Sequence, residues 1–274
     1  MRTALTIAGS DSGGGAGIQA DLKTFAAHGV FGTSAITAIT AQNTLGVTAW
    51  EAVSTPLVVA QIDAVAADIG ADAVKTGMLA NAGIVRALAQ ALKRLRLPHL
   101  VVDPVMIAKG GDRLLEEAAV AAIREDLLPL AEVVTPNIPE AEVLAGVRIT
   151  SVDDMRHAAR RILELGPRVV LVKGGHLESP ESIDLACTVD GSEEFSAPRI
   201  SSVHTHGTGC TLASAIAANL ALGLDSREAI ARAKVYVDGA IRNAPGIGRG
   251  HGPLNHFWRA TGETQRTHSS LEHG

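Results

Sequence analysis

The sequence predicts an α/β fold in which helices cover both faces of a central, mainly parallel sheet. Three observations predict it. Short Val/Ile/Ala-rich runs alternate with helix-length segments almost throughout, the order that crossover helices impose on a parallel sheet. Those short runs lack clean polar–apolar alternation, as strands buried on both faces do. Polar or glycine residues also recur just past their carboxyl ends, at Gly9, Gln42, Gly77, Asp103, Asn137 and Lys173. In open parallel sheets ligands bind at that edge, so this recurrence predicts one shared site. No internal repeat, linker or composition break interrupts residues 1–260, which read as one domain. Residues 261–274 are polar and are expected to be a disordered tail.

The elements follow in order. Thr3 to Ala8 is a strand ending at Gly9, and Ile18 to His28 is a helix. Phe31 to Ala41, rich in Thr, Ile and Ala, predicts a second strand, and Val47 to Val53 a further short one. A helix to Ile69 is predicted with Thr55 as N-cap and Pro56 at its first position. Asp72 to Thr76 is a strand, and Asn81 caps a helix through Arg96. His99 to Asp103 is a strand followed by a loop, Val105 to Asp112. Arg113 to Leu128 is helical, Glu132 to Thr135 a strand, and Pro136 to Glu140 leads into a helix. Ser151 caps a helix from Val152 to Leu165, and Arg168 to Val172 is a strand. Ile183 to Val189 and Glu194 to Ala197 predict a hairpin around Asp190-Gly191. Two helices close the domain, one to Leu222 and one from Ser226 to Asn243.

Composition narrows the function classes. The 274 residues are 46% hydrophobic and 19% charged, which suits a globular chain with a sizeable core. A net charge of −5 with no basic stripe argues against nucleic acid as a partner. Aromatics at 3% leave little for base stacking. The two cysteines, Cys187 and Cys210, make no disulfide framework. Cys187 sits among Leu185, Ala186 and Val189 and is expected in the core. Ala4 to Ala8 is too short for a signal-peptide apolar run, and no run approaches bilayer length. The expectation is a cytoplasmic protein without membrane partners.

Two glycine turns bear on chemistry. Ser10 to Gly17 follows the first strand, but its glycines do not fit G-x-G-x-x-G, and no G-x-x-x-x-G-K-[ST] occurs. That loop is expected to let a small ligand approach the backbone. The second turn, His204-Thr205-His206-Gly207-Thr208-Gly209-Cys210-Thr211, opens onto an apolar helix. The first N–H groups of a helix lack intrahelical partners, and its dipole adds positive charge. The turn therefore predicts an anion site for a phosphoryl group in transit. A cysteine at that end is expected to have a lowered pKa, making it a candidate base or reactive thiolate. Gly110 and Gly111 with Lys109 predict a mobile flap over Val105 to Asp112.

Seven separated stretches resemble bacterial hydroxymethylpyrimidine/phosphomethylpyrimidine kinases, of the ribokinase-like superfamily. They are Ala8 to Lys23, Thr40 to Thr44, Lys75 to Leu79, Asp103 to Met106, Thr135 to Glu140, Val172 to His176 and His206 to Thr211. The resemblance runs in order to about residue 260. It implies a ribokinase-like fold and two successive ATP-dependent phosphorylations in thiamine biosynthesis, from pyrimidine alcohol to monophosphate to diphosphate. It implies that Asp21, Gln42 and the Gly9 backbone hold the aminopyrimidine, with Met78 and Val105 packed on its ring. Lys173 would reach the transferring phosphate, and the Gly207 to Gly209 turn would stabilise it. Asn137, Glu140, Lys173 and Thr208 would serve the nucleotide, with Glu140 and Asp103 serving Mg²⁺. Cys210 stands where the wider superfamily places an aspartate base. Some pyridoxal kinases are similar and share the cysteine, so they are the alternative reading. A non-catalytic pyrimidine-binding module is a third, disfavoured because Cys210, Glu140 and Lys173 are all present. A homodimer is expected from the resemblance alone.

Overall fold

The structure, a computed structural model, describes residues 1–106, 116–175, 177 and 180–260. Eight strands form one sheet. They are β1 (Thr3–Ala8), β2 (Phe31–Ile36), β5 (Ala73–Thr76), β6 (Leu100–Val102), β7 (Val133–Val134), β8 (Val169–Lys173), β9 (Glu181–Cys187) and β10 (Ser192–Pro198). Their order across the sheet is β10-β9-β8-β7-β6-β5-β1-β2. From β2 to β8 every pairing is parallel, and only β9 and β10 run antiparallel at one edge. The strands β3 (Ala38–Asn43) and β4 (Gly46–Ala52) form a separate antiparallel ribbon.

The strands are apolar on both faces because each face is covered. Leu5, Ile7, Val74, Leu100, Val102, Val134, Val170 and Val172 join one core. It includes residues of α2 (Thr55–Asp68), α3 (Ala82–Leu95), α4 (Glu117–Ala122), α5 (Ile138–Ala145) and α6 (Val152–Leu163). Ala4, Ala73, Val101, Val133, Val169 and Leu171 join the other. That core includes residues of α1 (Gly17–Ala27), α7 (Thr208–Ala221) and α8 (Ser226–Arg242). Successive strand residues thus alternate between two buried layers, the period-two rule applied to a doubly covered sheet. Cys187 is buried in the first core, on β9.

Local chemistry sets the helix ends. Asn81, Ser151 and Asp225 accept from the backbone N–H groups of Ile84, Asp154 and Glu228. Asn137 and Glu140 form a reciprocal capping box at the start of α5.

Several boundaries differ from expectation. The expected strand Phe31 to Ala41 breaks at Thr37, whose hydroxyl donates to the Met78 carbonyl at 2.6 Å. Its backbone N–H meets the Ala8 carbonyl at 3.0 Å, and β3 then leaves the sheet to pair with β4. No glycine or proline marks that break, so composition alone does not reveal it. Thr55 is the first helical residue and Ser54 the cap position, one residue earlier than expected. Beyond Glu117 the helix passes into a π turn, Ile123–Leu127, and a 3₁₀ turn, Leu128–Leu130, that ends at Pro129-Leu130. Most of the expected flap, residues 107–112, lies outside the described residues, as does the tail 261–274.

One buried ion pair ties four elements together. Lys75 Nζ on β5 donates to both carboxylate oxygens of Asp21 on α1, at 2.9 and 2.8 Å, and both side chains are fully buried. The hydroxyls of Thr6 on β1 and Ser214 on α7 donate to the same carboxylate, each at 2.6 Å. Breaking one partner of such a pair leaves an uncompensated charge, which costs about 3–5 kcal/mol, whereas an apolar replacement of both can be neutral. Lys75→Met is therefore expected to lose about that much in urea unfolding, and Lys75→Met with Asp21→Leu to recover most of it. A loss below about 1 kcal/mol in the single variant would place the pair outside the stability of the fold.

Candidate active site

Because β1, β5, β6, β7 and β8 are parallel, their carboxyl ends meet along one edge. A cavity of about 1010 Å³ opens there. Its wall includes Gly9 after β1, Met78 after β5, Asp103 and Val105 after β6, Asn137 and Glu140 after β7, and Lys173 at the end of β8. Gln42 and Trp50 of the β3–β4 ribbon line it from above, and Gly207, Thr208, Gly209 and Cys210 enter from the start of α7. Of the residues expected at a site, all but Asp21 line this one cavity.

The cation at its centre is Lys173. Its Nζ lies 2.9 Å from Asp103 Oδ1 and 4.0 Å from Glu140 Oε2. Burial alone would lower the Lys173 pKa, but the Asp103 and Glu140 carboxylates outweigh it and raise it. Glu140 is pushed up to about 7, by burial first and by the Asp103 charge, against the pull of Lys173 and the Asn137 N–H. A Cβ on Gly209 would stand 3.1 Å from Lys173 Nζ, so the first turn of α7 and the ammonium share one pocket floor. Thr135 donates to Asp103 Oδ1 at 3.4 Å.

The glycine turn must be glycine at one point. Gly207 has φ +81, and a Cβ there would overlap the Gly15 carbonyl oxygen of the loop after β1. The two loops are also joined by a side-chain contact. Asp11 accepts from the N–H groups of Gly13, Gly15 and Ala16 at 2.8, 3.0 and 2.8 Å. His206 Nε2 lies 2.9 Å from Asp11 Oδ2. Burial would raise the Asp11 pKa, but His206 and the loop N–H groups lower it overall.

Cys210 departs from expectation. Its thiol is not lowered but pushed up to about 11, chiefly by burial, with the Asp21 and Asp103 charges adding to the rise. Lys75 and the Gly17 N–H pull the other way without prevailing. The helix N-terminus was expected to win, and desolvation wins instead. Asp21 departs too. It is fully buried beneath the cavity, its carboxylate taken by Lys75, Thr6 and Ser214, and it does not line the wall. Thr208 lines the cavity while its hydroxyl donates to the Thr205 carbonyl at 2.8 Å. The Gly9 carbonyl accepts from Ile18 N–H at 3.0 Å, and a Cβ on Gly9 would lie 3.3 Å from Met78 Sδ.

Asp11, Lys75 and His206 carry much of this architecture, yet no role was expected of them. The first had a legible signal, since aspartate ahead of glycines often caps its own turn. At the other end of the cavity, Lys234 Nζ meets Asp184 Oδ2 at 2.7 Å, and Asp184 also accepts from Gly174 N–H at 3.0 Å.

A family model described as phosphomethylpyrimidine kinase matches residues 11–255. The chain is 52% identical to the hydroxymethylpyrimidine/phosphomethylpyrimidine kinase of Synechococcus elongatus, over 93% of this chain and 97% of that one. It is 55% identical to the thiamine biosynthesis bifunctional protein ThiED of Geobacter sulfurreducens over 93% of its own length, and spans about half, 52%, of that longer protein. Among solved structures it resembles an ADP complex of Bacillus subtilis pyridoxal kinase, with TM-score 0.89 and 39% identity, covering 95% of this chain and 99% of that one.

In the unliganded protein, Cys210 is expected to behave as a thiol. Thiolate absorbance should appear only as pH approaches about 11, and Lys75→Met should move it higher by removing the cation that most favours thiolate. Rapid alkylation of Cys210 at pH 7 would contradict this.

Proposed function

The chain belongs to the phosphomethylpyrimidine kinase family, and from that premise we propose that it transfers the γ-phosphoryl group of ATP to 4-amino-5-hydroxymethyl-2-methylpyrimidine. A second transfer to the monophosphate gives the diphosphate, for thiamine biosynthesis. The observation that carries the reading is the convergence of Lys173, Asp103, Glu140 and the first turn of α7 on one cavity wall. Phosphoryl transfer asks the protein mainly for positioning and charge stabilisation, and this group supplies both.

The residues divide the work. The Gly207 to Gly209 turn and Lys173 meet the moving phosphoryl, with helix N–H groups and one ammonium offsetting its charge. Gly9, Gln42, Met78 and Val105 hold the pyrimidine ring, with the β3–β4 ribbon above it. Asp21 acts from below, by fixing Lys75. Asn137 and Thr208 stand on the nucleotide side. Cys210, in its thiolate form, takes the alcohol proton as the new O–P bond forms and the bond to ADP breaks, ending as the thiol.

Asp103 and Glu140 are the two carboxylates available to Mg²⁺. Their donor set fits, since magnesium takes few protein carboxylates and completes its shell with phosphate oxygens and water. Bound there, the ion would neutralise phosphate charge. Among the described residues no cluster of three or more His, Cys, Asp or Glu offers a closed metal cage.

The homodimer and the cytoplasmic location belong to the same proposal, as does the action of residues 1–260 as one kinase domain. Ile39, Leu45 and Trp50 are exposed apolar side chains of the β3–β4 ribbon, Ile39 on the face opposite Trp50, and such exposed surface suits a second subunit. Among the described residues no helix is long and apolar enough to cross a membrane.

A second reading, pyridoxal kinase, is favoured by the solved structure of that activity at TM-score 0.89. The test is ADP release with ATP, Mg²⁺ and each acceptor in turn. Turnover of the pyrimidine alcohol and its monophosphate should exceed that of pyridoxal; far faster turnover of pyridoxal would replace the proposal with the second reading.

Cys210→Ala is expected to lose on the order of 10²–10⁴ in turnover, the usual share of one general base. With the thiol pKa at about 11, wild-type turnover should rise with pH above neutrality as thiolate forms. Cys210→Asp should keep partial activity without that rise. Near-normal turnover by a folded Cys210→Ala protein would remove Cys210 from the proton transfer.

A further inference from the structure

His206 lies between two groups, Asp11 and Gln42, that cannot both bond it with the Gln42 nitrogen facing the ring. Its Nε2 is 2.9 Å from Asp11 Oδ2 and 3.2 Å from Gln42 Nε2. Asp11 is held as a carboxylate by three loop N–H groups, and its pKa is lowered. A carboxylate only accepts, so His206 Nε2 carries the proton. That leaves no in-plane lone pair on Nε2 for the Gln42 amide N–H, and the contact sets one donor against another.

The same conflict recurs at the other end of the amide. Thr40 Oγ1 lies 2.9 Å from the Ser10 carbonyl oxygen and 3.4 Å from Gln42 Oε1. A hydroxyl has one hydrogen, and the Ser10 carbonyl can only accept it. Thr40 is then left with a lone pair facing the Gln42 oxygen, so two acceptors meet. Amide oxygen and nitrogen exchange places by a half-turn that moves no other atom. One half-turn resolves both conflicts. The Gln42 carbonyl then shares the His206 Nε2–H with Asp11 in a three-centre bond, and its NH₂ donates to Thr40 Oγ1.

We propose that His206 is a specificity-determining positioning residue, which acts through Gln42 by fixing the sense of its amide. This deepens the kinase reading and rests on it for the ligand. The chemistry selected is a heteroaromatic ring with an exocyclic amine beside a ring nitrogen. Such an edge offers one donor and one adjacent acceptor, the complement of a carboxamide held in one orientation. In pyridoxal the ring nitrogen and the phenolic oxygen are separated by a methyl-bearing carbon, so that edge cannot make the same paired contact.

The imidazole is well held for this task. It packs so closely on Gly15 that a Cβ there would stand 2.7 Å from its Cδ2, and Pro253 lies on the same side. The backbone N–H of His206 donates to the Gly252 carbonyl at 3.1 Å, which fixes where the ring starts. The side chain is only 14% exposed and Asp11 2%, so water competes weakly for the contact.

The test is a double-mutant cycle on Gln42→Ala and His206→Ala. With the pyrimidine alcohol, His206→Ala should raise KM roughly tenfold, as for loss of one hydrogen bond of ordinary strength, and lower the preference over pyridoxal. KM for ATP should stay in place. In the Gln42→Ala background the His206 change should add nothing further to the pyrimidine KM, and His206→Gln, which restores an N–H donor, should recover part of it. Full additivity, or an equal rise in KM for ATP, would overturn the proposal. The unmodified protein gives a second measurement. Long-range ¹⁵N NMR above neutral pH should find His206 protonated at Nε2, and an Nδ1–H tautomer would overturn the proposal even if the variants failed to fold. Failure of the kinase reading would show separately, as no turnover of either ring alcohol, and would leave the tautomer result standing.

Discussion

The Lys75–Asp21 ion pair is the constraint on which the site depends. It joins β5 to α1, while Thr6 and Ser214 bring β1 and α7 to the same carboxylate. These elements carry Gly9, Met78, the glycine loop and the Cys210 turn. Their separation is therefore set by one desolvated knot rather than by the loops themselves. Buried pairs gain little over apolar packing, but they tolerate few alternative geometries. That intolerance is useful under a site where small displacements cost rate. The same ammonium also lies close enough to Cys210 to favour its thiolate, although burial keeps the thiol form. Structure and proton chemistry are coupled through Lys75.

Above that knot, charge is arranged in anticipation of phosphate. Lys173 is held by Asp103 and approached by Glu140, and burial, with the Asp103 charge adding to it, raises Glu140 to about 7. An anionic ligand with a divalent cation would relieve this arrangement from both sides, the anion pairing the ammonium and the cation offsetting the carboxylate charge. The start of α7 adds N–H groups aimed at the same space. Gly207, whose left-handed backbone lets the turn lie against the Gly15 carbonyl, makes the approach possible.

Much of this was legible in the sequence. The alternation of apolar runs and helices predicted the doubly covered parallel sheet, and the polar residues past strand ends predicted which edge carries the site. Asn137 and Glu140, expected on the nucleotide side, also form a capping box whose spacing is local. Four features were not, for physical reasons. The break at Thr37 depends on a carbonyl 41 residues away, and nothing in the local composition marks it. Asp21 was placed against the ligand by the resemblance alone; its pairing with Lys75, Thr6 and Ser214 buries it instead. Cys210 was expected as a thiolate from its place at a helix start. Desolvation, which needs the surrounding chain, reverses the sign. The Asp11–His206 contact spans 195 residues and is invisible to any local pattern.

The central claim is that one cavity at the carboxyl edge brings a pyrimidine alcohol and a nucleotide phosphate together at the start of α7. The most direct measurement is a crystal structure with the pyrimidine alcohol and a non-hydrolysable ATP analogue bound together. The account predicts the terminal phosphate against the Gly209 and Cys210 backbone and Lys173 Nζ, with the hydroxymethyl group between it and Cys210 Sγ and the ring against Gly9, Gln42 and Met78. A terminal phosphate seated away from the first turn of α7, or a ring outside that wall, would contradict it.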